Sequence, residues 1–264
     1  MGLWAFGITR FYFEEQALRF IGRELYHAFF YGYTKKQWGC EPSELPASIL
    51  KRLPVRFNYN DNYYNNIYQG IPVNGYTELV EKLLNSPKIN ITLNKKFNYS
   101  SELHATYNHI FYTGPIDAFF DYKFGRLGYR TVTFEKYTAD VDHQGNAVIN
   151  YCDETVPYTR VHEHKHFTPW ETHDKTVYFK EFSKETTADD IPYYPKRLEK
   201  DKKMLEAYRT EAMQFSKVSF LGRLATYRYM DMHHVIGEAL AFSQSYLQSL
   251  SSGSKASVFP NTEN

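Results

Sequence analysis

Several things are scarce in this chain, and each absence narrows the field. Only two cysteines, Cys40 and Cys152, stand among 264 residues. That is too few for a disulfide framework and matches a reducing cytoplasm. No run of 18 apolar residues occurs, so no membrane span is expected. Met1 to Phe13 is aromatic and short, without the basic start or small-residue cleavage site of a signal peptide, and reads as a non-native start. Charge of one sign is missing too: 31 Lys and Arg against 30 Asp and Glu leave +1. A broad basic face for nucleic acid is thereby excluded. No two of the 14 glycines stand two apart, so the Gly-x-Gly-x-x-Gly turn that cradles a dinucleotide pyrophosphate is absent. No Cys-x-x-Cys, Ser–His–Asp set or paired-carboxylate spacing stands out.

What is abundant is aromatic: 18% of residues, with 24 Tyr and 20 Phe. A tyrosine offers a flat apolar body and one hydroxyl, which suits sugar and nucleotide pockets. A Tyr-rich lineage accounts equally well for most of the 24. Along the chain, Glu14 to Phe30 carries apolar residues at helical spacing. Ser43 to Leu53 reads as a short helix with Pro46 near its start, Asn58 to Asn66 as irregular, and Thr77 to Leu84 as helix. Ile89–Leu93 and Tyr107–Tyr112 read as strands. Thr131–Phe134, Ala147–Asn150, Thr155–Phe167 and Thr176–Glu181 make an antiparallel meander. Pro192 to Pro195 is rigid and extended. Lys196 to Met213 is a solvated amphipathic helix of mixed charge. Ser251 to Asn264 has no core-forming pattern.

Three constellations could carry chemistry. Val218 to Met232 reads VSFLGRLATYRYMDM. It suggests a buried strand, a break at Gly222, Arg223 at the switch, and Tyr227 and Tyr229 on one side of an extended backbone. Asp231 would then cap a helix whose apolar residues run from Met232 to Leu247. Such a helix start beside an arginine and tyrosine hydroxyls can hold a phosphate or a flavin edge. An ordinary strand–turn–helix with surface tyrosines would look the same. Arg52 and Arg56 could grip a diphosphate or could be surface arginines. His162, His164 and His166 alternate in HEHKH; on one strand face they could bind a metal, or they could be polar packing.

GYTKKQW at Gly32–Trp38, LPASILKRLPVRF at Leu45–Phe57, NYNDNYY at Asn58–Tyr64, GIPVNGYT at Gly70–Thr77 and GRLATYRYMDM together resemble the bacterial UDP-galactopyranose mutases. The resemblance runs in order from about Glu14 to Leu250. It implies interconversion of UDP-galactopyranose and UDP-galactofuranose through an adduct of the sugar on N5 of reduced FAD, for cell-surface glycans. The cofactor would carry the hard chemistry, with the protein binding and orienting. Residue by residue, it implies that Arg52 and Arg160 are the catalytic arginines that stabilise the leaving diphosphate. Phe29 and Tyr33 match the uridine-side positions, and Trp38 and Arg52 bound a mobile loop, about 38–52, that closes over substrate. Tyr63, Tyr194 and Tyr229 match the phosphate-binding tyrosines. Gly114, Arg223, Tyr229, Asp231 and Met232 match the flavin side. The family suggests a cytoplasmic homodimer.

The expected fold class is α/β of mixed α+β character: an incomplete FAD-binding Rossmann-like domain with a helical domain and an antiparallel β-sheet domain. The helical domain would cover 1–62, the sheet domain 63–75 and 128–196, the rest of the flavin domain 76–127 and 197–250, and a polar tail 251–264. The chain departs from the family at its start, where the glycine-rich βαβ unit of roughly 30 residues or more is wanting. It reads as N-terminally shortened and is expected not to turn over alone. A non-catalytic or split-enzyme half that binds UDP-sugar is the alternative, and a metal-binding β-domain built on His162, His164 and His166 is the weaker one.

Overall fold

The computed structural model describes residues 12–47, 49, 56–60, 62, 64–99 and 106–260, which divide into two compact units. The first comprises Met1–Lys95 and Val132–Lys184; the second comprises Lys96–Thr131 and Glu185–Asn264. Arg52 and Tyr63 lie outside the described residues, as do 48, 50 and 51 of the expected mobile loop.

In the first unit, α1 (Phe13–Leu25) buries Phe13 and Ala17 and kinks at Gly22, whose φ of 76° leaves the helical region. A wide π turn follows (Tyr26–Tyr31), and then α2 (Gly32–Trp38). The expected helix therefore runs past Phe30 to Trp38. Gly39 ends it in the left-handed conformation at φ 63°, its N–H donating to the Lys35 carbonyl at 2.8 Å. Between Ser43 and Leu53 the described residues differ in part from expectation. One helical turn is a 3₁₀ turn over Pro42–Glu44 with Pro42 at its start. Pro46 sits in a β-bridge with Tyr12, Phe13 N–H donates to Leu45 O at 2.9 Å, and a further helical turn starts at Pro46 as expected, its carbonyl accepting Ile49 N–H at 3.2 Å. The apolar face of α1 draws this segment into extended pairing. Helix α3 (Gly75–Leu84) stands where expected but buries no residue.

Ile89–Leu93 is not a strand: it pairs with nothing among the described residues, and Ile91 and Leu93 are exposed. Alternation marks a candidate strand, but only a ladder partner fixes one. The sheet of this unit runs β3 (Val148–Asn150), β4 (Arg160–Glu163), β5 (Lys175–Glu185), then β2 (Tyr129–Asp140) from Val132 onward. The expected strand Thr155–Phe167 shrinks to β4. On one side Asp153 holds Thr155 N and Oγ1 at 2.8 Å in a turn. On the other the chain coils into a 3₁₀ turn over His164–Phe167.

The second unit is built on a parallel pair, β1 (Ile110–Tyr112) and β7 (Val218–Phe220), in register Ile110↔Val218 and Tyr112↔Phe220. β1 is shorter than Tyr107–Tyr112. The first residues of β2 pair antiparallel with β6 (Tyr194–Pro195). Helices α4 (Ile116–Phe119) and α5 (Glu199–Ala212) pack on a core of Ile116, Phe119, Tyr208, Phe220 and Tyr227. Phe259 belongs to that core: it stacks on Phe220 at 5.5 Å, and Phe220 N–H donates to Val258 O at 2.8 Å. The described part of the polar tail thus contributes a core segment at Val258 and Phe259, a placement its composition does not signal.

After β7 come the short α6 (Gly222–Ala225) and the long α7 (Met232–Ser252). Gly222 takes φ 76°, as the break requires. Tyr227 and Tyr229 do not share a side. Tyr227 is fully buried at φ 50°, donating to Gly128 O at 2.5 Å, because α6 curls the backbone that alternation assumes extended. Asp231 is the N-cap residue of α7, yet its side chain makes no capping bond; its carbonyl accepts Val235 N–H at 3.1 Å. Only Phe242 and Ser249 of α7 are buried, so most of its apolar residues are exposed. No helix among the described residues is long and apolar enough to cross a membrane.

Candidate functional site

In the first unit, α2 lies against the end of the sheet that carries Arg160. Arg160 opens β4 and stands opposite Glu181 in the β4–β5 register. Its Nε lies 3.3 Å from Glu181 Oε1, and its Nη2 donates to the Tyr33 hydroxyl on α2. Glu181 is buried; it also accepts Thr159 Oγ1 at 3.1 Å and bonds His162 Nε2 at 3.0 Å. The ion pair with Glu181 beside Nε and the hydroxyl bonded at Nη2 hold the guanidinium in place, so it enters an encounter with an anion already oriented. Ser183 Oγ donates to Gln37 O at 2.6 Å, one residue before Trp38. Trp38 is buried at the last position of α2, just where the chain leaves toward Arg52. Phe29 is exposed on the π turn, the kind of irregularity that often accompanies function.

The sequence did not single out Lys36, Glu181 or the reason for Gly32. Lys36 Nζ donates to the carbonyls of Tyr151, Asp153, Val156 and Tyr158 at 2.7–3.1 Å. Burial pushes its ammonium below the ordinary lysine value. Gly32 backs onto the same segment: a Cβ there would stand 2.2 Å from Cys152 O. Its backbone angles, φ −64° and ψ −39°, are ordinary helical ones, so close approach and not backbone freedom calls for a glycine there.

In the second unit, Arg223 lies over two rings, Tyr194 at 5.3 Å and Tyr229 at 5.2 Å, whose centroids are 5.4 Å apart. It also donates to the Tyr193 carbonyl. The fixed φ of Pro192 and Pro195 and the β6 pairing bring Tyr194 to this place. The result is a cation flanked by two phenols, a set that can hold an anion or the polar edge of a flat ring. Asp231 and Met232 open α7 three residues on, Met232 exposed. Gly114 follows β1, but a Cβ there would meet its own neighbour Tyr112 Oη at 2.6 Å. That glycine makes room for a side chain of this unit. Arg130 and Lys196, which the sequence also left unmarked, are buried and share Glu185 at 3.0 and 3.1 Å. Burial pushes Glu185 up, but the hydrogen bonds from Lys196 and Arg130 outweigh it and hold the carboxyl below its usual range.

The HEHKH histidines do not converge. His162 on β4 faces Glu181, His164 in the 3₁₀ turn lies 4.9 Å from the Phe179 ring, and His166 bonds Asp142 Oδ1 at 2.9 Å. The turn at His164 rotates the last two off the strand face. A different trio, Asp142, Glu163 and His166, does come together. Glu163 spends its oxygens on the N–H groups of His143 and Gln144 at 3.0 and 2.8 Å, and Lys165 Nζ stands 3.5 Å from Asp142. That trio closes a turn with an ion pair.

Comparison with known proteins shows the family of this chain. The family model for UDP-galactopyranose mutase matches residues 28–229. A probable UDP-galactopyranose mutase of Klebsiella pneumoniae is 54% identical over 247 residues, covering 94% of this chain and 64% of that protein. A dTDP-fucopyranose mutase of Escherichia coli is 55% identical over 241 residues, covering 89% and 64%. This chain therefore spans a little under two thirds of the length of these relatives. The crystal structure of a reduced UDP-galactopyranose mutase shares the fold, with a TM-score of 0.65 at 12% identity over 90% of this chain and 68% of that one. A matched stretch that includes Tyr33, Trp38, Arg160, Tyr194 and Arg223, on an α/β fold of the same kind, makes this chain a member of the UDP-galactopyranose mutase family.

Proposed function

We propose that this chain carries the substrate-binding part of a nucleotide-sugar mutase that interconverts UDP-galactopyranose and UDP-galactofuranose. The observation that carries the reading is Arg160, held between Tyr33 and Glu181. An arginine fixed at two atoms meets a diphosphate without reorganising and gains most as charge develops on a departing phosphate oxygen. Tyr33 and Phe29 would serve the uridine side and Trp38 the sugar side. Arg52 would be the second catalytic arginine and Tyr63 a phosphate-binding hydroxyl. In the second unit, Tyr194 and Tyr229 offer hydroxyls for phosphate. A homodimer in the cytoplasm, serving cell-surface glycan synthesis, completes this reading.

FAD would supply the electron-rich centre for the ring contraction. Arg223, Tyr229 and the start of α7 at Asp231 and Met232 suit the edge of such a ring. Its pyrophosphate is not provided for: these 264 residues hold no Gly-x-Gly turn, and the Gly114 backbone is screened by Tyr112. The residues present do not fit the whole group, so no step is derived through it. Flavin retention would need a phosphate cradle from outside these residues, and the chain alone is inactive on this reading.

The 55% identity to a dTDP-fucopyranose mutase supports a second substrate, dTDP-fucopyranose, with the same diphosphate grip. Titration calorimetry with UDP, dTDP and uridine tests both. Tighter binding of UDP than dTDP, lost about tenfold or more in Arg160→Met, is expected. Preference for dTDP would transfer the assignment to the second sugar, and binding of neither would defeat the proposal. Absorbance near the flavin band after FAD incubation and desalting should be absent; retained flavin would refute the inactive-alone statement.

A further inference from the structure

Lys36 is a densely bonded side chain of the first unit that the proposed chemistry does not use. Its Nζ faces four carbonyl oxygens, those of Tyr151, Asp153, Val156 and Tyr158, at 2.7–3.1 Å. An ammonium has three N–H groups in a tetrahedral spread, so four acceptors saturate it and share one proton. Those carbonyls all belong to the segment joining β3 to β4, and the last of them precedes Arg160 by two residues. On α2, Lys36 stands three residues after Tyr33, one turn on, so both side chains leave the same side of the helix. The backbone of Gly32 touches the segment at Cys152.

We propose that Lys36 is a positioning residue, whose ammonium binds the segment 151–158 to α2 and thereby sets Arg160 against Tyr33 for a nucleoside diphosphate. The proposal deepens the reading above and rests on it for the ligand. Without Lys36 the four carbonyls lose their shared donor, and the first residue of β4 keeps its ladder positions opposite Asn150 and Glu181 but not the tie of the preceding segment to α2. The guanidinium then loses its fixed angle while the sheet persists. Lysine suits the task better than arginine, since a planar fork cannot meet four oxygens arranged around a point.

The test follows the Arg160 Nε–H signal by nitrogen-15 side-chain NMR in the full 264-residue chain, assigned with Arg160→Lys. Lys36→Met and the charge-keeping Lys36→Arg are compared with the parent, each checked for folding by circular dichroism. That proton is buried beside Glu181, and its exchange with water should quicken about tenfold in Lys36→Met, the figure for a local opening made easier by about 1.4 kcal/mol. Lys36→Arg should fold even if Lys36→Met does not, and should quicken it several-fold. Unchanged exchange in either folded variant overturns the proposal. Calorimetry on the same samples should show UDP affinity falling about tenfold with uridine affinity unchanged. An equal loss for both ligands would mean general loosening and also overturns it. A parent chain that binds neither ligand defeats the function reading alone, because the exchange measurement still decides Lys36.

Discussion

Replacing Gly32 by alanine should destabilise this protein even though alanine is the better helix former. Gly32 has ordinary helical angles, φ −64° and ψ −39°, so backbone freedom is not its purpose. The added Cβ would stand 2.2 Å from Cys152 O, 3.0 Å from Glu154 Cγ and 3.4 Å from the Cys152 carbonyl carbon. Ordinary contacts lie near 3.5 Å, so α2 or the segment must retreat by about 1 Å. The obstacle is backbone, and it is held: Tyr151 N–H donates to Thr159 O at 2.9 Å, and Lys36 bonds the neighbouring carbonyls. Overpacking of this kind costs roughly 1–3 kcal/mol. Loss of one or two Lys36 bonds adds about 1 kcal/mol each, and helix propensity returns about 1 kcal/mol. The net expectation is about 1–4 kcal/mol of destabilisation. Gly237 is the control. It lies inside α7 with nothing within 4 Å of its added Cβ, so Gly237→Ala should stabilise by up to about 1 kcal/mol. Urea titration followed by circular dichroism compares the two. Tryptophan fluorescence reports separately on the first unit, whose residue ranges contain Trp4, Trp38 and Trp170. If Gly32→Ala matches the parent or exceeds it, the close approach of α2 to the segment is wrong.

Phe259→Ala should cost about 3 kcal/mol or more, because the ring stacks on Phe220 and lies 4.5 Å from the Arg209 guanidinium; a urea midpoint equal to the parent's would return the tail to solvent. His109 should give acid sensitivity. Ser219 spends its one proton on Ser257 O at 2.6 Å, so His109 Nε2 carries a hydrogen and donates to Ser219 Oγ at 2.8 Å. Burial lowers its folded pKa, so this contribution is intact above the unfolded histidine value near 6.5 and is lost as pH falls through it. The urea midpoint should drop between pH 7.5 and 5.5, and the drop should shrink in His109→Gln; an identical pH dependence in both proteins contradicts this. Metal analysis after dialysis against zinc should find far less than one ion per chain, since His162, His164 and His166 point to separate partners. A stoichiometric ion would overturn that arrangement.

Much of the local structure was legible in the residues themselves, and so was the family, carried by segments such as GYTKKQW and GRLATYRYMDM whose order a random sequence does not reproduce. Helix α1, α3, α5, the strand at Val218 and the break at Gly222 follow from periodicity and from a glycine that must take positive φ. These are properties of a few neighbouring residues, which is why local spacing determines them. What the tertiary structure alone decided depends on partners far along the chain. Ile89–Leu93 alternates but lacks a ladder, and HEHKH alternates but bends after Glu163. Tyr227 and Tyr229 part because α6 curls the chain that carries them. Phe259 enters a core because Phe220 leaves a backbone donor for Val258. The orientation of Arg160 is the clearest case. The family resemblance pointed to it, but the buried Glu181 behind it and Lys36, whose ammonium bonds the segment leading to it, lie about 20 and 120 residues away in sequence. Their meeting follows from strand register and from one glycine small enough to let a helix touch a backbone carbonyl.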